Sequence, residues 1–95
     1  MTTAFIDELY SVILERRKAA SPDSYVAKMT AQGLPRLAQK VGEEAVETVI
    51  AAIKKDKAEL CSESADLVFH LLMLWAEAGL NPAEVFTELQ KRHKK

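Results

Sequence analysis

The sequence predicts an all-α fold, a bundle of four to five helices around a central antiparallel hairpin. Three observations carry that expectation. Apolar residues recur at helical spacing through most of the chain. Three glycines and three prolines fall almost entirely where such patterns stop or restart. No stretch shows the short apolar–polar alternation, bounded by turn residues, that marks strands.

The elements follow in order. Phe5, Ile6, Leu9, Val12 and Ile13 repeat with helical period, so the first helix is expected from Thr3 to Ala19. "SPDS" restarts the chain, with Ser21 as the expected N-cap and Pro22 at the first helical position. A short helix then runs to near Gly33. Pro35 opens the next, which carries "RLAQKVGEEAVETVIAAIKK". A turn near Asp56 leads into "AELCSESADLVFHLLMLWAEA", which Gly79 stops. Asn81 and Pro82 start the last helix, and Glu84, three residues after Asn81, completes a capping box. Gly42 alone stands inside a helix, where it costs roughly 1 kcal/mol relative to alanine. A kink or tight helix contact would account for it, and so would room for a ligand.

At 95 residues one domain is expected, with a core small enough that burial between subunits would add stability. The chain is 48% hydrophobic and 28% charged, with a net charge of -1. That balance argues against a nucleic-acid partner and against disorder. The single Cys61 forms no internal disulfide, which fits a reducing compartment, and it is expected to be buried and unreactive. "TTAFIDELY" lacks the basic start and apolar block of a secretory signal, and "LVFHLLMLWA" is too short to span a bilayer. A soluble, cytoplasmic protein with no membrane partner is expected.

Four acids interrupt the most hydrophobic part of the sequence. Glu44 and Glu47 are three residues apart on one helix, and Glu63 and Asp66 are three apart on the next. Residues at that spacing are neighbours on a helix surface. The short turn predicts antiparallel packing, and folding the hairpin about Lys55 sets Glu44 level with Asp66 and Glu47 level with Glu63. Two like charges near 4 Å repel by roughly 4 kcal/mol at an effective dielectric of 20. A divalent cation resolves that conflict. Oxygen-only donors favour a hard ion, Mg²⁺ or its close alternative Mn²⁺. The plainer reading is a solvated acidic face, since Ala45, Val49 and Ile53 lie opposite Glu44 and Glu47 on the helical wheel. The second helix argues against it. From Leu67 to Ala76 it is apolar nearly all round and is expected to be buried on every side, so its acids should border a groove or a subunit interface.

"SYVAKM", "QKVGEEAVE" and "ADLVFHLL" together resemble segments of the phosphoribosyl-ATP pyrophosphohydrolase family, and the resemblance runs from about Phe5 to Arg92. The acid pattern, Glu43, Glu44 and Glu47 followed by Glu63 and Asp66, marks the wider all-α NTP pyrophosphatase superfamily. The flanking "KVGEEAVE" and "DLVFHLL" indicate the histidine-biosynthesis branch. The resemblance implies hydrolysis of phosphoribosyl-ATP to phosphoribosyl-AMP and pyrophosphate. It implies Mg²⁺ held by Glu44, Glu47, Glu63 and Asp66, a stand-alone domain over 1–95, and a homodimer. Glu43 matches the leading acid and either holds a metal-bound water or pairs with Lys40. Phe69 departs slightly, at a position where tyrosine is equally expected.

An anionic nucleotide substrate calls for basic and hydroxyl groups nearby. Lys40 and Arg36 lie one and two turns before Glu44, and Ser24, Tyr25 and Lys28 sit in the short helix segment. These five are the candidate phosphate-binding residues, and one of Glu43, Glu44 and Glu47 is expected to orient the attacking water. Plainer roles stand beside these: Lys40 as a surface partner of Glu44, Tyr25 as core. His70, one turn after Asp66, is read as a hydrogen-bonded residue supporting the metal ligands. Phe69, Met73 and Trp75 are read as packing. Two alternatives remain at this level. A house-cleaning NTP pyrophosphatase would use the same acids on modified nucleotides. A non-enzymatic helical oligomerisation module would use the apolar helix and leave the paired acids unexplained.

Overall fold

The computed structural model describes residues 4–93, all α-helix and connecting turns. The expected start at Thr3 lies outside the described residues. Five helices follow in order: α1 (Ala4–Ala19), α2 (Tyr25–Gln32), α3 (Leu34–Ile53), α4 (Lys57–Ala78) and α5 (Pro82–His93).

Local chemistry sets the ends of these helices. Asp56 caps α4 by accepting a hydrogen bond from the Glu59 amide at 3.0 Å. Asn81 and Glu84 form the expected capping box. Asn81 Oδ1 accepts from the Ala83 amide at 2.8 Å, and the Asn81 amide donates to Glu84 Oε2 at 2.9 Å. Gly79 ends α4 in the left-handed region (φ 75°). The Leu80 amide reaches back to the Trp75 carbonyl at 2.8 Å and the Gly79 amide to Ala76 at 3.3 Å, which satisfies two end carbonyls of the helix.

One boundary differs from expectation. The cap of α2 is Ser24, not Ser21: Ser24 Oγ accepts from the Ala27 amide at 3.2 Å. The stretch 21–24 closes as a tight turn instead, with the Ser24 amide donating to the Ser21 carbonyl at 3.1 Å. Pro22 occupies the second position of that turn, which its fixed φ suits as well as a helix start.

α3 and α4 form an antiparallel hairpin, the most extensive pairing in the molecule. α1 and α2 pack over its end away from the turn, and α5 touches α1. The core lies at that end. Tyr10 and Ile13 of α1, Val26 and Met29 of α2, Leu37 of α3, and Leu72, Met73 and Ala76 of α4 are buried together. Two longer-range bonds fasten α1 over it. Tyr10 Oη donates to the Leu80 carbonyl at 3.0 Å, and Arg17 pairs with Glu77 at 2.6 Å.

Toward the turn the hairpin is bare. Val49, Ile50 and Ile53 of α3 are 56%, 49% and 74% exposed, so this apolar face has no cover among the described residues. The expectation that α4 is buried on every side from Leu67 to Ala76 therefore fails for one subunit. Val68 is exposed, and Leu67, Phe69, Leu71, Leu74 and Trp75 are only half-buried. Cys61, expected to be buried, is also exposed, because it lies on the same uncovered half. The radius of gyration, 14.5 Å, exceeds the roughly 12–13 Å of a compact chain of this length, as a projecting arm requires. Among the described residues no helix is long and apolar enough to cross a membrane.

Nothing lies within 4 Å of where a Cβ on Gly79 would sit, so only its backbone conformation requires glycine. Gly79→Ala is expected to cost about 1 kcal/mol and lower the midpoint of thermal unfolding by about 4–8 °C. An unchanged melting curve would show that α4 ends without the left-handed residue.

Candidate functional site

Three residues of α3 are buried, Leu37, Glu44 and Ala51, at intervals of seven. They form one stripe along the helix, and Glu44 occupies its middle. The acid is 6% exposed, while the aliphatic residues opposite are open to solvent. The arrangement inverts the usual amphipathic rule and removes the solvated-face reading for Glu44.

The hairpin brings the acids together in the expected register. Ligand oxygens from Glu44, Glu63 and Asp66 lie within 4.8 Å of one another. Glu47 is exposed on the rim, with its carboxyl within hydrogen-bond reach of both Glu44 and Glu63. Glu44 Oε2 is buried with no hydrogen-bond partner. Its other oxygen faces the Lys40 ammonium at 3.6 Å. A buried carboxylate oxygen left without a donor is costly, and a proton or a bound cation relieves that cost.

Burial raises the Glu44 pKa, and the neighbouring Glu47 raises it further. Glu63 is raised by its hydrogen bond with Glu47, then by partial burial and the surrounding acids. The cationic side of the groove is ordered by Glu43. Its two oxygens meet Arg36 at 3.3 Å and Lys40 at 3.5 Å. The pairing with Lys40, one of the two roles considered for Glu43, is present. Burial works against the Lys40 charge, but the Tyr25 phenol, Glu43 and Glu44 outweigh it and lift its pKa.

The remaining candidates separate. Ser24 serves as the helix cap. Lys28 is exposed and, among the described residues, forms no ion pair. Tyr25 is not core: it is 43% exposed at the edge of the groove, and Lys40, Glu44, Arg36 and Asp66 all act on its phenol. His70 is buried. It bonds the Asp66 backbone carbonyl, not the carboxylate, through Nδ1 at 2.7 Å, and its Nε2 meets Tyr25 Oη at 2.7 Å. Phe69 lies beside Tyr25, ring centroids 6.3 Å apart and planes 27° apart, so it supports the site where the sequence suggested packing alone. The Tyr25–His70 bond spans 45 residues and has no local sequence signal. A Cβ on Gly42 would meet nothing within 4 Å. With Glu43, Val46 and Glu47 it lines a shallow hollow, so no tight contact among the described residues accounts for the glycine.

Because the folded pKa of Glu44 is raised, its protonated form is the one the fold favours. Its contribution to stability is present below its ordinary range, near 4.5, and is lost as pH rises through the raised value. In metal-free buffer, Glu44→Gln, which mimics the protonated acid, is expected to be more stable than the parent by a margin that widens as pH rises from 4 to 8. Urea midpoints across that range check it, and a constant margin would contradict the burial of an ionised Glu44.

Comparison with known proteins identifies the family. A family model described as phosphoribosyl-ATP pyrophosphohydrolase matches residues 6–93. The phosphoribosyl-ATP pyrophosphatase of Azospirillum brasilense is 51% identical over 92 residues, covering 97% of this chain and 83% of that protein. The protein of the same name from Zymomonas mobilis is 55% identical over 91 residues, 96% of this chain and 82% of that one. Its namesake from the archaeon Saccharolobus solfataricus is 43% identical over 94 residues, 99% of this chain and 100% of that one. With a match over nearly its whole length, and identities near one half, the chain belongs to the phosphoribosyl-ATP pyrophosphohydrolase family.

Proposed function

We propose that this protein hydrolyses phosphoribosyl-ATP to phosphoribosyl-AMP and pyrophosphate in histidine biosynthesis, with the groove between α3 and α4 as its catalytic centre. The observation that carries the reading is the convergence of Glu44, Glu63 and Asp66, in which Glu44 also has a buried carboxylate oxygen without a donor. The donor set is all oxygen and fits a hard divalent cation, Mg²⁺ or Mn²⁺. Glu44, Glu63 and Asp66, with Glu47 at the rim, would hold it. When bound, such an ion neutralises phosphate charge and lowers the pKa of an attacking water.

The chain's own residues supply the rest. Arg36 and Lys40 line the groove beside the acids and suit the phosphates of the substrate. Glu43 fixes both cations in place, which limits the freedom lost when phosphate binds. Glu47, exposed at the rim between Glu44 and Glu63, is the best placed to orient water and accept its proton.

The exposed Val46, Val49, Ile50 and Ile53 of α3, with Val68 of α4, form an apolar surface beside the site. A second copy of the chain covering it is the simplest closed assembly, a homodimer.

Pyrophosphate release from phosphoribosyl-ATP, beside a panel of ordinary and modified NTPs, tests the reading. Turnover of phosphoribosyl-ATP alone, abolished by chelation and restored by Mg²⁺, is expected. Turnover of the other NTPs in its place would move the protein to the house-cleaning reaction. Glu47→Ala and Asp66→Ala are each expected to lower kcat/KM by a factor of about 10² or more with unchanged helicity, and full activity in either would remove the site. Sedimentation should give a dimer at micromolar concentration, and Ile53→Asp a smaller species. A parent protein that sediments as a monomer would refute the covered face.

A further inference from the structure

Tyr25 stands over the groove with its ring and its hydroxyl both held. Phe69 lies alongside the ring, and His70 meets it edge-on with centroids 5.6 Å apart. The direction of the hydroxyl bond follows from the far side of the imidazole. His70 Nδ1 lies 2.7 Å from the Asp66 carbonyl oxygen, which can only accept. Nδ1 therefore carries the proton. In a neutral imidazole Nε2 then has only a lone pair, so in the 2.7 Å contact Tyr25 Oη donates and His70 accepts.

This assignment leaves Tyr25 without a proton for a ligand. Its oxygen offers lone pairs alone. An ionised phosphate also offers acceptors alone, so the two cannot hydrogen-bond to each other. We propose that Tyr25 recognises a hydrogen-bond donor on the non-phosphate part of the substrate, a sugar hydroxyl or a ring N–H, and that His70 is the positioning residue that orients it. The Tyr25 oxygen then discriminates for the nucleoside portion, while Arg36 and Lys40 take the phosphates. The inference rests on the proposed hydrolytic reading and adds a specificity element to the same groove.

The two products of that reaction make the test. The pyrophosphate oxygens are acceptors only, and phosphoribosyl-AMP carries hydroxyl and N–H donors. Inhibition constants for both, at pH 8, are compared between the parent protein and Tyr25→Phe, which keeps the ring and its stacking. The expected result is about a three- to tenfold weaker constant for phosphoribosyl-AMP, the size of one neutral hydrogen bond, and an unchanged constant for magnesium pyrophosphate. Loss for pyrophosphate, equal loss for both, or no loss for either would overturn the proposal. Ribose 5-phosphate as a third inhibitor separates the donors: a parallel loss assigns the hydroxyl, and its absence assigns the ring N–H. Failure of the parent protein to turn over phosphoribosyl-ATP would strike the functional reading instead. A second measurement bears on His70 directly. Nitrogen-15 NMR of the imidazole should show a protonated Nδ1 and a bare Nε2, with the Nε2 signal shifting in Tyr25→Phe. A protonated Nε2 in the parent protein would reverse the bond and refute the assignment.

Discussion

The mutual repulsion of four carboxylates on one helical hairpin is the constraint to which the rest of the structure answers. Two such charges near 4 Å oppose each other by roughly 4 kcal/mol at an effective dielectric of 20, and Glu44 adds the cost of burial. An aliphatic residue in its place would continue the stripe of Leu37 and Ala51. The fold holds the acids together by placing its strongest packing elsewhere. Leu37, Leu72, Met73 and Ala76 clamp the hairpin at its far end, with α1 and α2 wrapped over them. The tight turn at residues 54–56 and the Asp56 cap fix the near end. These two restraints hold the helices side by side, and the crowding shows in the raised pKa values of Glu44 and Glu63.

The same division explains the shape of the molecule. Core residues gather where α1 and α2 reach, and the half of the hairpin beyond them keeps an aliphatic face in solvent. The three further helices, α1, α2 and α5, leave one end of the hairpin uncovered. The uncovered face and the acid groove share α3, so whatever covers the first also stiffens the second.

Helix order and the register of the acids were legible in the sequence because both follow from local rules. Spacing, caps and the hairpin sum about Lys55 need no knowledge of distant contacts. The cap of α2 was misread because "SPDS" offers two serines, and only the closure of the 21–24 turn decides between them. The burial of Glu44 was hidden by reading the wheel from its aliphatic side. The interval Leu37–Glu44–Ala51 carried the signal, since a seven-residue repeat marks one face whatever sits at its centre. The exposure of Cys61 and Val68 was not legible, because helix hydrophobicity reports that a face wants cover and not which chain supplies it. The Tyr25–His70 bond is purely tertiary: two residues 45 positions apart meet because α2 lies across α4.

α2 is the shortest helix, eight residues between a tight turn and Gly33. A segment of that length is not stable alone in water. Val26 and Met29 anchor it to the core, and Tyr25 to His70. The wall that carries Tyr25 therefore keeps its shape only while it is packed on the hairpin that carries the acids. The acids sit on the long helices α3 and α4 and Tyr25 on α2, so a change in α2 packing would move the aromatic wall and leave the register of the carboxylates to the hairpin.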